Sequence, residues 1–305
     1  MQDIDKNIQS ELNTILKKNK EEIPYNKKIL VLSGGGTKGI IYIGVFKALD
    51  KLKILENIHT FSTSSVGALM CSLYLIGYTV KEMEDFIYLF DLKKLTSIES
   101  LNDISPNNLF LNMGLDDGEN MHKIFNKLLK AKGLKENITL LELYQINKKK
   151  FITTTVCLNT RTTEYISYEN YPNLRVSDAV RMTSSVPLYY TPVLYNDKYY
   201  VDGGCIDNYP IYEFKDNIEE VIGVYLNSDY EFCSIKNFKE YFISVLQTLA
   251  DGYVYNSIRG FDKYTIIIKT KVNFLQFELS KEEKSSLIEL GYENTIEYFN
   301  QIESN

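Results

Sequence analysis

The stretch Lys28-Ile29-Leu30-Val31-Leu32-Ser33-Gly34-Gly35-Gly36-Thr37-Lys38-Gly39-Ile40 constrains this chain more than any other. An apolar run of strand type stops at three glycines. A basic residue and a fourth glycine then lead into a helical pattern, with Ile41, Val45, Ala48, Leu49 and Leu52 on one face. Strand, glycine turn and helix make the opening half of a βαβ unit and place backbone N–H groups at a helix N-terminus, where negative charge binds. The glycines allow the positive φ and close approach that turn amides toward a ligand. That ligand is either a nucleotide phosphate or an oxyanion formed in catalysis.

The spacing Gly34-x-Gly36-x-x-Gly39 is shared with dinucleotide-binding proteins, but those need an acidic residue closing the second strand, about 20 residues on. The second strand here, near Ile58 to Ser62, ends in serine and threonine. A phosphate-binding P-loop fails as well, because Lys38 is followed by Gly39 and the spacing is wrong. Phe61-Ser62-Thr63-Ser64-Ser65-Val66-Gly67-Ala68-Leu69 instead runs straight into an apolar helix through Met70, Leu73 and Ile76 that ends near Gly77. A serine at a sharp strand-to-helix turn, with glycine two residues on, has the form of a nucleophile elbow. The nucleophile must stand clear of the sheet, its neighbours two before and two after must be small, and the next N–H serves as an oxyanion donor. Ser65 fits, with Gly67 after it and Val66 as donor; Ser64 does not, because Val66 would fill the crowded position. Thr63 stands two before Ser65, where glycine is usual. A helix N-cap gives the same stretch a purely structural reading.

A third stretch is Lys198-Tyr199-Tyr200-Val201-Asp202-Gly203-Gly204-Cys205-Ile206-Asp207-Asn208-Tyr209-Pro210. An acidic residue closing a strand before two glycines has its carboxylate exposed by the turn, although an Asp-Gly hairpin turn would look the same. A serine nucleophile also needs a base. The chain has two histidines, His59 and His122. His59 opens the strand leading to the elbow, at the far end of the sheet from Ser65, and His122 lies in a mid-chain helix with no assignable acidic partner. A Ser65–Asp202 dyad, with amides of Gly34, Gly35 and Gly36 as oxyanion donors, uses every motif found.

These motifs together resemble the patatin-like phospholipases: Gly-Gly-Gly-Thr-Lys-Gly (34–39), Ser-Ser-Val-Gly-Ala (64–68) and Asp-Gly-Gly (202–204), followed by Asn208 and Pro210. The segment from Ala179-Val180-Arg181 through Pro187 and Pro192 is similar too. The resemblance spans roughly 28–210 and departs at Thr63. It implies a three-layer αβα sandwich with a largely parallel central sheet, and a lipid acyl hydrolase of phospholipase A or lysophospholipase type. It carries over Ser65 as nucleophile, Asp202 as base, and the amides around Gly35 and Gly36 as oxyanion donors; the residue reading adds Gly34 and Val66 to the oxyanion hole, with Lys38, Gly39, Gly67, Gly203 and Gly204 as supporting motif residues. Lys38 adds positive field at the loop or is a surface charge at the helix start. Arg181 is read as a structural ion-pair partner in preference to a headgroup contact. A carboxylate is a weak base unless desolvated, so Asp202 is expected to be buried.

Composition sets the remaining bounds. The 305 residues are 44% hydrophobic, enough for one large domain, and the net charge of -6 gives no basic footprint for nucleic acid. Cys71, Cys157, Cys205 and Cys233 form no CxxC pair, which argues for a reducing compartment. No secretory signal is visible, and no apolar run reaches the roughly 18 residues of a membrane span. The reading is cytoplasmic, with peripheral membrane contact when acting. Residues 1–24 are expected to form an amphipathic helix through Ile4, Ile8, Leu12, Ile15 and Leu16, clamped onto the domain at 25–305. Helices are expected over 80–95, 120–132, 139–145, 176–183 (capped by Ser177), 237–254 and after Ser280, and strands over 151–158, 164–168, 220–226 and 263–269. No metal or cofactor is required. The expected partner is a phospholipid or other acyl-ester lipid, an activating protein partner being left open. Two rivals stand: a phosphate- or nucleotide-binding α/β protein, and a catalytically inactive lipid-binding module.

Overall fold

The computed structural model describes residues 26–98, 109, 111–229, 234–237, 240–242, 244–245, 248 and 258–303. The expected helix over 1–24 and most of that over 237–254 lie outside them. Strand β1 (Ile29–Leu32) is buried along its length, and its side chains alternate between two cores. Leu30 and Leu32 join the main core with Ile222, Val224 and Leu226, while Ile29 and Val31 join a smaller one with Tyr209, Ile211 and Tyr225. A strand buried on both faces reads as a continuous apolar run, as Ile-Leu-Val-Leu does.

Helix α1 (Ile41–Lys51) returns the chain to β2 (Thr60–Thr63), and α2 (Val66–Leu75) follows directly. Next come α3 (Val80–Leu89), β3 (Gly114–Asp116), α4 (Glu119–Ala131), α5 (Leu140–Asn147), β4 (Lys150–Cys157), β5 (Thr162–Ile166) and α6 (Val176–Thr183). Short strands β6 (Leu188–Tyr190) and β7 (Val193–Tyr195) lead to β8 (Lys198–Asp202), β9 (Val221–Ser228), β10 (Thr265–Thr270) and the long α7 (Lys281–Glu303). The central sheet runs β10-β9-β1-β2-β4-β8-β7, with β5 also on β4, and β3 pairs β6 separately. From β10 to β4 all pairs are parallel; β5, β8 and β7 are antiparallel. Helices α1 and α2, with α7 laid across α1, cover the main-core face. Residues 209–220 and 258–264 cover the other. The layers are α, β and a thinner α.

Local chemistry sets the helix ends. Thr79 with Glu82, Thr139 with Glu142 and Ser280 with Glu283 each exchange side chain for backbone N–H in a capping box, starting α3, α5 and α7. Two expectations are corrected. The helix expected over 80–95 stops at Leu89, because Lys284 of α7 donates to the carbonyls of Ile87 (2.9 Å) and Phe90 (2.7 Å), and Asp91 starts a separate 3-10 turn. Ser177 does not cap α6. Arg175 holds the cap position without a side-chain bond, and Ser177 is buried one residue inside the helix.

Candidate active site

Ser65 occupies the turn between β2 and α2 with φ 49° and ψ −123°. Few non-glycine residues adopt such a conformation, which costs on the order of 1–3 kcal/mol and persists only where surroundings fix it. Here they do. The Ser65 N–H donates to Thr183 Oγ1 at 2.8 Å, its Oγ donates to Asp202 Oδ2 at 2.7 Å, and its carbonyl accepts from Ala68 at 2.9 Å. Gly67 lies flat against the backbone of β1, so a Cβ there would stand 2.8 Å from the carbonyls of Leu32 and Ser33. Thr63 is the last residue of β2, opposite Thr153, and its hydroxyl donates sideways to the Ile152 carbonyl at 2.9 Å. The sheet takes up the threonine, and the tight turn forms beyond it.

Asp202 closes β8, opposite Thr155 of β4. It is 5% exposed, as its expected role requires, and its Oδ1 accepts the Gly204 N–H at 2.7 Å. Burial raises its pKa from the ordinary 3.8 to about 6, while the bonds from Ser65 and Gly204 restrain the rise. The carboxylate is therefore ionised at neutral pH yet more basic than an exposed one.

The glycine loop backs onto Ser65. A Cβ on Gly34 would overlap Asn208 Oδ1 and stand 3.1 Å from Ser65 Cβ. Gly36 turns the loop in the left-handed region (φ +55°), and a Cβ there would overlap the Phe274 carbonyl. Gly35, Gly36 and Val66 have N–H groups that meet no acceptor among the described residues. Gly34 differs from expectation: its N–H is taken by the Asn208 carbonyl at 3.1 Å and does not face the space beside Ser65 unpaired. Gly39 packs on Val66, while Gly203 and Gly204 carry the turn after Asp202. Lys38 is not a surface charge. It is buried, and its Nζ donates to Ser228 Oγ at 2.8 Å.

His59 sits where expected, its N–H on the Lys28 carbonyl at the far edge of β2. For His122 the structure supplies the missing acidic partner: Nε2 lies 3.2 Å from Asp178 Oδ1, and Arg175 holds the same carboxylate. This group lies between α4 and α6, and among the described residues no hydrogen bond joins it to Ser65 or Asp202. Two residues that contact the dyad or its loop carried no assigned role in the sequence, Thr183 and Asn208. Asn208 follows the Asp-Gly-Gly motif in the sequence and Thr183 carries no local mark, and the partners that give them a role, Gly34 and Ser65, lie more than 100 positions away.

Ser65, Asp202 and the glycine loop line part of a cavity of about 700 Å3. Its walls are apolar, with Leu69, Leu73, Phe90, Phe125, Leu128 and Phe277 prominent. Among the described residues no group of three or more His, Cys, Asp or Glu could hold a metal, and no helix is long and apolar enough to cross a membrane.

A mostly parallel sheet under helices, with a strained serine bonded to a buried aspartate beneath a glycine loop, defines an α/β fold with a candidate active site at one group of loops. The family model of patatin-like phospholipases matches residues 30–215, and the chain belongs to that family. It is 31% identical to the "Probable lipid hydrolase 463L" of Invertebrate iridescent virus 6 over 189 residues, 62% of this chain and 63% of that one. An uncharacterized protein of Acanthamoeba polyphaga mimivirus is 28% identical over 276 residues, covering 87% of this chain and 91% of its own. The crystal structure of VipD from Legionella pneumophila superposes with a TM-score of 0.63 at 20% identity, over 90% of this chain and 67% of VipD. That likeness is one of fold.

Proposed function

We propose that the protein is a lipid acyl hydrolase of phospholipase A or lysophospholipase type, a serine carboxylic-ester hydrolase working through a Ser65–Asp202 dyad. The observation that carries this reading is the 2.7 Å bond from Ser65 Oγ to Asp202 Oδ2 in the wall of an apolar cavity. Asp202 takes the hydroxyl proton as Ser65 Oγ attacks the acyl carbonyl. The N–H groups of Gly35, Gly36 and Val66 stabilise the oxyanion, a contribution of about 3–4 kcal/mol for one such donor. The intermediate collapses, the C–O bond to the alcohol or lysolipid breaks, and that oxygen recovers the proton from Asp202. Water then gives its proton to Asp202 and attacks the acyl-serine; Ser65 Oγ leaves and is reprotonated. The cavity takes the acyl chain, which must leave a membrane or micelle to enter, so peripheral contact with a lipid surface belongs to the same reading.

The test is hydrolysis of a chromogenic short-chain ester and of phosphatidylcholine vesicles by wild type, Ser65→Ala and Asp202→Ala, with fluorophosphonate labelling of each. Loss of turnover by at least about 10^3-fold in both variants, with labelling confined to Ser65, supports the dyad. Folded wild type that neither hydrolyses nor labels would refute it in favour of a binding module.

A further inference from the structure

The dyad is made by two strands that do not pair with each other. β2 and β8 follow one another along the same edge of β4, β2 against 150–153 and β8 against 155–157, while β5 takes the opposite edge, so Ser65 and Asp202 meet where two separate strands end. A bond of 2.7 Å between ends that share no ladder hydrogen bond needs something that fixes both. One short segment touches both. At the end of α6, Thr183 accepts the Ser65 N–H at 2.8 Å, and two residues on the Ser185 carbonyl accepts the Asp202 N–H at 2.9 Å. Thr183 and Ser185 are fully buried. Arg181 pins the segment from within the same helix. Its guanidinium donates to Ser185 Oγ, to the Asp117 carbonyl at 2.9 Å and to the Thr191 carbonyl at 3.0 Å, and it lies over the Tyr190 ring at 5.1 Å. The Ser185 hydroxyl in turn donates to the Arg181 carbonyl at 2.6 Å, closing the loop.

We propose that residues 183–185 form a positioning bridge that sets the distance between nucleophile and base, with Thr183 orienting Ser65 and Arg181 orienting Asp202 through Ser185. The inference rests on the hydrolase reading above and adds residues that touch no substrate. Ser65 lies in a backbone conformation that surroundings must impose, and its N–H, at the helix cap, has no intrahelical acceptor. Thr183 Oγ1 supplies one and fixes the direction in which Ser65 Oγ points. Productive geometry tolerates about 0.5 Å, so a bridge that slackens by more than that loses the bond to Asp202.

The test compares Thr183→Val, which keeps the shape and removes the acceptor, with Thr183→Ser, which restores it; Arg181→Met and Arg181→Lys form the second pair. Fluorophosphonate labelling rate and the pH profile of kcat/KM are read for every variant that matches wild type in circular dichroism. For Thr183→Val the bridge predicts kcat down at least tenfold with KM within twofold, labelling slowed in proportion, and the acidic limb moved to higher pH, since Asp202 loses the Ser65 bond that holds its pKa down. Thr183→Ser should recover to within threefold of wild type. Arg181→Met should show the same acid-limb movement, with partial recovery in Arg181→Lys. Wild type that labels normally beside a Thr183→Val that labels within twofold of it overturns the bridge alone. Wild type that does not label overturns the hydrolase reading and the bridge with it.

Discussion

Replacing Asp202 by asparagine should remove activity and stabilise the fold, and the stabilisation should depend on pH in a calculable way. Asp202 is buried, and its pKa is raised from 3.8 to about 6. The folded protein therefore holds this proton more tightly than the unfolded chain does. Below pH 3.8 both states are protonated and the carboxyl costs nothing. Between about pH 4 and 6 the unfolded chain releases its proton while the folded protein keeps it, so each step upward in pH weakens folding. Above about pH 6 the penalty is complete. At 1.36 kcal/mol for each pH unit between the two pKa values, it reaches about 3 kcal/mol. Asparagine carries no such penalty, and its Oδ1 can still accept from Gly204 while its NH2 faces Ser65 Oγ. The stability difference between Asp202→Asn and wild type should thus grow by about 2 kcal/mol from pH 4, where part of the penalty is already present, to pH 7, roughly 3–4 °C in Tm for a chain of this size. Urea unfolding of both proteins across that range, followed by circular dichroism, measures it. A difference constant with pH, or one that shrinks as pH rises, would refute the buried, proton-retaining carboxylate on which the base assignment depends.

The same raised pKa predicts that kcat/KM for a soluble ester falls below pH 6, with slope one on the acid side and a plateau above it; an acid limb near pH 4 would show a solvated carboxylate instead. Gly36→Ala forces a left-handed backbone on alanine and drives its Cβ into the Phe274 carbonyl, so it should cost about 1–3 kcal/mol in denaturant unfolding and slow fluorophosphonate labelling. A midpoint equal to wild type would show that the loop relaxes freely. Leu128→Trp fills part of the cavity wall and should lower kcat/KM about tenfold for a long-chain ester while leaving a short-chain ester within twofold. Equal effects on both substrates would place the acyl chain elsewhere.

Features that depend on a few consecutive residues were legible. The strand, glycine loop and helix from Lys28 onward, the turn at Ser65 and the capped helix after Ser280 all appear close to where their residues put them. What the sequence hid lies in contacts between distant segments. Helix α3 stops early because a lysine 194 positions away takes its last carbonyls. The Gly34 N–H is taken by the Asn208 carbonyl, and Lys38 is buried against Ser228 on β9. His122 gains Asp178 only once α6 packs on α4. None of these partners lies within one element of the residue it changes, and no local periodicity could announce them.

The dyad shows where the boundary between the two kinds of information falls. Both residues were readable as chemical types at strand ends, but their meeting is a matter of register. Thr63 lies opposite Thr153 on β4, and Asp202 lies opposite Thr155 further along the same edge, β5 holding the other. Two residues past Thr63 is Ser65, so the elbow begins at the level where Asp202 ends β8. The antiparallel direction of β8 is essential to this. A parallel strand ending in aspartate would send the Asp-Gly-Gly turn out of the sheet beyond the elbow, whereas β8 descends from Tyr200, opposite Cys157, to Asp202, opposite Thr155. Asp202 thus arrives from the loop side at the height of Ser65, and the turn that follows delivers Asn208 to the glycine loop. Shifting β8 by one residue would turn Asp202 to the opposite face of the sheet and break the site with every residue type intact.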